Sequence, residues 1–206
     1  MSIFNCLRCG LCCRHVDQDF SERRYIPIFY TEIKKLQCLA EELQVEIKIL
    51  PDLMYPDKLN QVFIITSYVL TFEECCGFFD QKKGCLIYEE RPLTCKSFPI
   101  TVWREDGNRK LLKVETTCSF VKKNLNLTLG KDFNELKSFF PEEYQVAEKI
   151  LMKGKEILYK IVRLEKENQI DLGYLNGTIN IFYDLNQANL EHPDWKKIDI
   201  NLIEID

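Results

Sequence analysis

The spacing Cys6-x2-Cys9-x2-Cys12-Cys13, with Gly10 directly after the second cysteine, constrains this chain more than any other feature. Two residues between thiols let both sulfurs face one centre while the backbone N–H groups of the turn point at them. A glycine after the second cysteine relieves the positive φ that such a knuckle needs. This is the geometry of zinc knuckles and of iron–sulfur loops. Six of the first fourteen residues are Cys, Gly or Asn and no apolar period is visible, so the segment reads as a loop built round something.

A second tract begins at Cys75-Cys76-Gly77-Phe78-Phe79-Asp80. It continues through Gly84-Cys85-Leu86-Ile87-Tyr88 and Arg91-Pro92-Leu93-Thr94-Cys95-Lys96-Ser97-Phe98-Pro99, with Cys118 downstream. Cys76, Cys85, Cys95 and Cys118 make a second candidate ligand set. Of the ten cysteines in 206 residues, nine lie in the two tracts or close behind them. The first residues carry no basic segment followed by an apolar one, which leads us to expect a cytoplasmic chain. In a reducing compartment such clusters read as metal sites or redox catalysts rather than disulfides. Cys9-Gly10-Leu11-Cys12 alone would suit a dithiol redox pair, but its flanking thiols argue for ligation. Thiolates held about 4 Å apart repel by ~4 kcal/mol per pair at an effective dielectric of 20, and a metal removes that cost.

Other function classes find little material. Net charge is −4 and Lys and Arg are scattered, so no electrostatic footprint for nucleic acid exists. The longest apolar run, Val62 to Phe72, is interrupted by Thr66, Ser67 and Thr71 and falls far short of the ~20 residues a membrane span needs. The two histidines, His15 and His192, leave acid–base catalysis almost without means. His15 reads as a solvated loop residue beside Cys13.

The remaining pattern predicts an α+β fold: a small irregular metal-organised domain with a short antiparallel hairpin, and a long C-terminal helix. Residues 26–50 carry a helical apolar period, inside which Cys38 is expected to pack as a small buried or half-buried residue. Residues 62–72 read as one strand. A hairpin is expected from Ile100 to Trp103 and Lys110 to Glu115, turning at Asp106-Gly107-Asn108. From Pro141 to about Asn168, a stripe through Ala147, Ile150, Leu151, Gly154, Ile157, Leu158, Ile161 and Leu164 predicts one helix, with Gly154 at a close helix contact. The tail from Asp171 to Asp206 gives no clear pattern. These boundaries suggest a cysteine-cluster domain over 1–128 and a helical extension over 129–206 packed on it.

Cys-x2-Cys-x2-Cys-Cys, then Cys-x-Phe-x-Asp, then Gly-Cys-x-Ile-Tyr-x-x-Arg-Pro-x-x-Cys-x-x-Phe-Pro, resembles the YkgJ-like CxxCxxCC cysteine-cluster family over roughly residues 6–118. The resemblance implies a zinc- or iron-chelating domain with ligands at Cys6, Cys9, Cys12, Cys13, Cys76, Cys85, Cys95 and Cys118. Gly77 stands where members usually carry proline, and Cys75 lies outside the pattern. A related cluster occurs in flagellin lysine methylases of the FliB type. Of the neighbouring cations, only Arg91, in the Arg-Pro step, is singled out; Arg8, Arg14, Lys82, Lys83 and Lys96 read as solvated loop charges.

Two centres fit the ligand set. Adjacent cysteines such as Cys12 and Cys13 are expected to point apart, which disfavours one tetrahedral ion taking both. Together with the ferredoxin-like start and the methylase resemblance, this favours a [4Fe–4S] iron–sulfur cluster over Zn2+. The function expected is a metal-binding protein whose centre is structural or carries electrons. Alternatives are an S-adenosylmethionine-dependent lysine methylase of FliB type, and a zinc-organised module whose Pro141–Asn168 helix meets a protein partner.

Overall fold

Strand periodicity overrides the helical pattern at its start: Ile26 and Ile28 are buried while Tyr25 and Pro27 are exposed, so Tyr25–Ile28 is extended and the helix begins only at Tyr30. The computed structural model describes residues 4–14, 25–105, 109–128, 130–175, 177 and 182–204. In chain order, a 3-10 turn at Leu11–Cys13 precedes β1 (Tyr25–Ile28), α1 (Tyr30–Leu43), β2 (Lys48–Pro51), β3 (Met54–Asp57), β4 (Val62–Ile65) and β5 (Tyr68–Thr71). There follow β6 (Phe79–Asp80), β7 (Gly84–Cys85), a 3-10 turn at Tyr88–Glu90, α2 (Leu93–Ser97), β8 (Ile100–Glu105), β9 (Arg109–Val114), α3 (Ser119–Lys123), α4 (Leu125–Thr128) and α5 (Phe133–Phe139). The long α6 (Pro141–Lys166), α7 (Leu185–Glu191) and β10 (Lys196–Asp199) complete an α+β fold. No described helix is long and apolar enough to cross a membrane.

The chain divides into two units, the first made of Met1–Ile26, Gln37–Ile47 and Thr71–Met152, the second of Pro27–Leu36, Lys48–Leu70 and Lys153–Asp206.

The first unit holds every cysteine. Its core gathers Ile100 and Val102 from β8, Cys118, Val121 from α3, Phe140, and Tyr144 and Ala147 from α6. Strands β8 and β9 pair antiparallel from Ile100↔Val114 to Glu105↔Arg109, longer at both ends than the sequence pattern suggests; the turn at Asp106–Asn108 lies outside the described residues. Asp132 caps α5, accepting from the Asn134 and Glu135 amides while the Glu135 carboxylate accepts from Asp132's own amide. Phe4 ties the N-terminal cysteine tract to this core. Its amide donates to the Phe139 carbonyl at 3.2 Å, and its ring lies 5.1 Å from that of Phe120 and 5.3 Å from that of Phe140.

Cys38 departs from expectation. It is exposed, because Leu36 and Ala40 face the core and a residue two positions from each falls on the opposite side of α1. Gly154 departs too: it is exposed, and a Cβ added there would meet nothing within 4 Å. The apolar stripe of α6 is covered at Ala147 and Leu151 and again at Ile157, Ile161 and Leu164, with no close approach at the glycine.

In the second unit, β4 pairs antiparallel with β3 and parallel with β10, in register Val62↔Lys196 to Ile65↔Asp199. The apolar run expected as one strand is two. Thr66 and Ser67 break it, since the Thr66 amide and hydroxyl both donate to the Leu53 carbonyl while the Ser67 hydroxyl accepts from the Leu53 amide and donates to the Asp52 carboxylate. The tail without a sequence pattern supplies α7, β10 and the aromatic cluster of Phe63, Tyr183, His192 and Trp195, in which His192 stacks on Trp195 at 4.3 Å. Two buried carboxylates organise this unit. Asp57 accepts from the Leu59 and Asp171 amides and the Asn60 side chain, and Glu165 accepts from the amides of Leu172, Tyr174 and Leu175.

Candidate metal centre

Gly10 takes φ 73° and starts the 3-10 turn Leu11–Cys13, which the Cys13 amide closes by donating to the Gly10 carbonyl at 2.9 Å. A Cβ on Gly10 would overlap the Phe79 ring, so the glycine is needed for the turn and for the close packing of the second tract. The two tracts are joined by backbone. The Cys76 amide donates to the Cys13 carbonyl at 2.8 Å, and Arg14 forms an antiparallel bridge with Cys75.

Beyond that junction, β6 and β7 form a short antiparallel hairpin pairing Phe79 with Cys85 and Asp80 with Gly84. Asp80 makes the turn, its Oδ1 accepting from the amides of Lys82 at 2.8 Å and Lys83 at 2.7 Å, which holds its carboxyl below the usual range. Those two lysines serve through their backbones. Gly77 follows Cys76 at a point where a Cβ would overlap the Glu46 carbonyl oxygen, a physical reason for glycine at this position. Cys95 sits within the short helix α2, and Cys118 immediately precedes α3.

Amide groups face several of the sulfurs. The N–H of Phe78 favours the Cys76 thiolate, that of Ile87 the Cys85 thiolate, and those of Phe120 and Val121 the Cys118 thiolate. In each case a donor two residues after the cysteine turns back on it, the arrangement expected of the loop spacings.

Burial works the other way. It pushes the Cys76 thiol up to about 11 and raises Cys85 and Cys118, against the opposing amides and, for Cys85, the Arg91 guanidinium. Cys13 is raised first by its hydrogen bond with Cys12 and then by burial. Cys95 is raised well above its ordinary range by burial and by Cys12, Cys76 and Cys85. Cys12 is the recurring neighbour, acting on Cys13, Cys76, Cys85, Cys95 and Cys118, while Cys6 acts on Cys85 and Cys118. Cys13, Cys76, Cys85, Cys95 and Cys118 therefore keep their protons until a cation replaces them.

Cys6, Cys12, Cys13, Cys76, Cys85, Cys95 and Cys118 thus lie within electrostatic reach of one another, with the sulfurs of Cys12 and Cys13 3.7 Å apart. Cys9 is exposed, with its sulfur 3.0 Å from the Ser119 hydroxyl. Cys75 pairs with Arg14 across the bridge and is half-buried, whereas Cys76 is buried and has Cys85 and Cys12 among its electrostatic neighbours. His15 lies outside the described residues.

The expectation that Cys12 and Cys13 point apart is corrected: their sulfurs lie 3.7 Å from one another, within the 3-10 turn Leu11–Cys13. A tetrahedral ion with metal–sulfur bonds of about 2.3 Å spaces its sulfurs by about 3.8 Å. Among the described residues, no group of three or more His, Cys, Asp or Glu side chains is arranged to hold a metal ion without further adjustment. The donor set fits a soft or borderline metal in its chemistry and in the Cys12–Cys13 separation, and closing on an ion requires the remaining side chains to move.

Two residues near the cluster escape the spacing argument. Tyr88 lies between the guanidiniums of Arg91, 3.7 Å from its ring centroid, and Arg8, 3.9 Å from it. Arg8 had no sequence signal beyond its charge, whereas the Ile-Tyr step of the second tract marks Tyr88.

Searches of the curated proteins and of the solved structures return no match to the chain. A family model described as "CxxCxxCC: Putative zinc- or iron-chelating domain" matches residues 5–124, more than half of the sequence and all the cysteines that converge in the first unit. The chain belongs to the CxxCxxCC family of zinc- or iron-chelating domains.

Proposed function

We propose that the first unit is a polythiolate metal centre of structural role, in a protein of a reducing compartment, with ligands drawn from Cys6, Cys9, Cys12, Cys13, Cys76, Cys85, Cys95 and Cys118. The observation that carries the reading is the junction of the two cysteine tracts, where the Cys76 amide meets the Cys13 carbonyl, the Cys12 and Cys13 sulfurs lie 3.7 Å apart, and Cys76, Cys85, Cys95 and Cys118 lie within electrostatic reach of Cys12. The hydrophobic core of this unit is built from β8, Cys118, α3, Phe140 and α6, whereas the first fourteen residues and the β6–β7 hairpin are mostly irregular. An ion bound there adds to the few contacts, those of Phe4 among them, that hold these segments to the core, and structural zinc contributes on the order of 10–16 kcal/mol to such folds.

The Cys12–Cys13 separation supports individual tetrahedral zinc or iron ions. A second reading, an iron–sulfur cluster with an electron-transfer role, draws support from the Cys-x2-Cys-x2-Cys spacing.

Thiol counting tests the proposal. In the metal-loaded native protein a thiol reagent is expected to modify Cys38 and Cys75 readily and the proposed ligands only after a chelator is added. If all ten cysteines react at one rate with and without chelator, the metal centre is refuted.

A further inference from the structure

We infer that Cys9 is the entry thiol of the metal centre: Ser119 holds its sulfur at the surface, where it meets an incoming ion before the more buried thiols do. This rests on the reading that the cysteines hold a metal.

Among the eight proposed ligands Cys9 alone is exposed, and the other seven are half-buried or buried. Its sulfur lies 3.0 Å from the Ser119 hydroxyl, a hydrogen bond between residues 110 positions apart. Ser119 gives that bond a firm base. It stands between Cys118, part of the hydrophobic core, and Phe120, which packs against that core and meets the Phe4 ring edge-on at 5.1 Å. The Lys122 amide, donating to the Cys118 carbonyl at 2.8 Å, fixes the same turn.

The backbone of Cys9 is held from the other side. Arg8 at φ 49° and Gly10 at φ 73° flank it, two left-handed residues packed on the β6–β7 hairpin. A Cβ on Gly10 would overlap the Phe79 ring, and one on Gly84 would come to 3.3 Å from both the Arg8 Cβ and the Arg8 carbonyl oxygen. Such a conformation at a non-glycine residue persists only where its surroundings enforce it. The sulfur therefore moves by rotation about χ1, and one rotamer change carries it about 3 Å, far enough to leave the hydroxyl.

Exposure decides the order of events. A hydrated ion needs a sulfur in water to bind before it sheds its shell, and Cys9 is the proposed ligand placed there. Ser119 suits the holding role because a hydroxyl accepts from a thiol and donates to a thiolate. Cys9 gives its proton to water as its sulfur binds the ion, the hydrogen bond to Ser119 opens, and neighbouring thiols replace the ion's waters, each releasing its own proton.

Cobalt(II) added to the reduced, metal-free full chain gives the uptake rate through the sulfur-to-cobalt charge-transfer band, and passage of bound cobalt to a chelator gives the release rate. Ser119→Ala is expected to slow uptake about tenfold, the scale on which outer partners of a metal ligand act, and Ser119→Thr, which keeps the hydroxyl, to restore it. Cys9→Ser is expected to slow uptake at least as much, whereas Cys38→Ser, which removes the other exposed thiol, is expected to match wild type. Uptake as fast in Cys9→Ser as in wild type overturns the entry role while the centre stands, and faster release alone makes Cys9 an ordinary ligand. Slowed uptake in Cys9→Ser with an unchanged rate in Ser119→Ala overturns the hold by Ser119. A wild-type protein that takes up no cobalt overturns the centre and the role together.

Discussion

The Cys76 amide donates to the Cys13 carbonyl at 2.8 Å, so the backbone of the second cysteine tract is docked on the last residue of the first. Gly10 permits that docking by vacating the space that the Phe79 ring fills. Gly10→Ala is expected to lose at least about 1–2 kcal/mol from the left-handed φ alone, with more from displacement of Phe79. Denaturant unfolding of the metal-free protein measures it; an unchanged midpoint would mean that the tracts are not packed this way.

Cysteine variants separate the cluster from its neighbours. Cys12→Ser is expected to lose metal stoichiometry, since its sulfur lies 3.7 Å from that of Cys13 and within electrostatic reach of Cys76, Cys85, Cys95 and Cys118, whereas Cys75→Ser and Cys38→Ser are expected to retain it. Elemental analysis of the three purified proteins gives the answer, and equal metal content in all of them would remove Cys12 from the centre.

Without metal, stability is expected to fall in alkali. The Cys76 thiol has an ordinary value of 9.0 and is pushed up to about 11 by burial, so between these values the unfolded chain gives up its proton and the folded chain keeps it. The folded state then binds more protons, and stability falls as pH rises, by on the order of 2 kcal/mol for this group. Cys85, Cys95 and Cys118, also raised by burial, add loss in the same direction. Metal-loaded protein, whose ligand thiols have already surrendered their protons, is expected to lack this decline. Melting temperatures across pH 8–11, with and without metal, test the contrast; a flat metal-free profile would count against buried, protonated thiols.

Glu165 predicts an effect in the second unit that leaves the metal untouched. Its carboxylate receives the amides of Leu172, Tyr174 and Leu175 at 2.8, 2.9 and 2.8 Å while itself buried. Glu165→Ala leaves those donors unsatisfied and is expected to cost about 3 kcal/mol or more, with metal stoichiometry unchanged. Thermal unfolding paired with metal analysis checks both halves.

How far the amino-acid sequence carried can be traced to the range of each interaction. Cysteine spacing is local chemistry, and it pointed to both tracts and to Arg91 as they stand in the fold. The Pro141 helix was equally accessible, being a continuous 3.6-residue period with Pro at its first position. The pairing of β10 with β4 was not, because Lys196 to Asp199 meets Val62 to Ile65 across more than a hundred residues and carries no turn signal. Thr66 and Ser67 looked like tolerated polar residues in a strand until Asp52 and Leu53 came within hydrogen-bonding reach. The 3.7 Å approach of the Cys12 and Cys13 sulfurs depends on side-chain conformation within the turn, which residue spacing alone does not specify.

Metal and acid-labile sulfide analysis of protein purified without air tests the central claim most directly. The account predicts at least one zinc or iron ion per chain, little or no sulfide, and loss of the metal in Cys12→Ser. A wild-type protein that carries neither zinc nor iron, and takes up neither when they are supplied to the reduced chain, would contradict it.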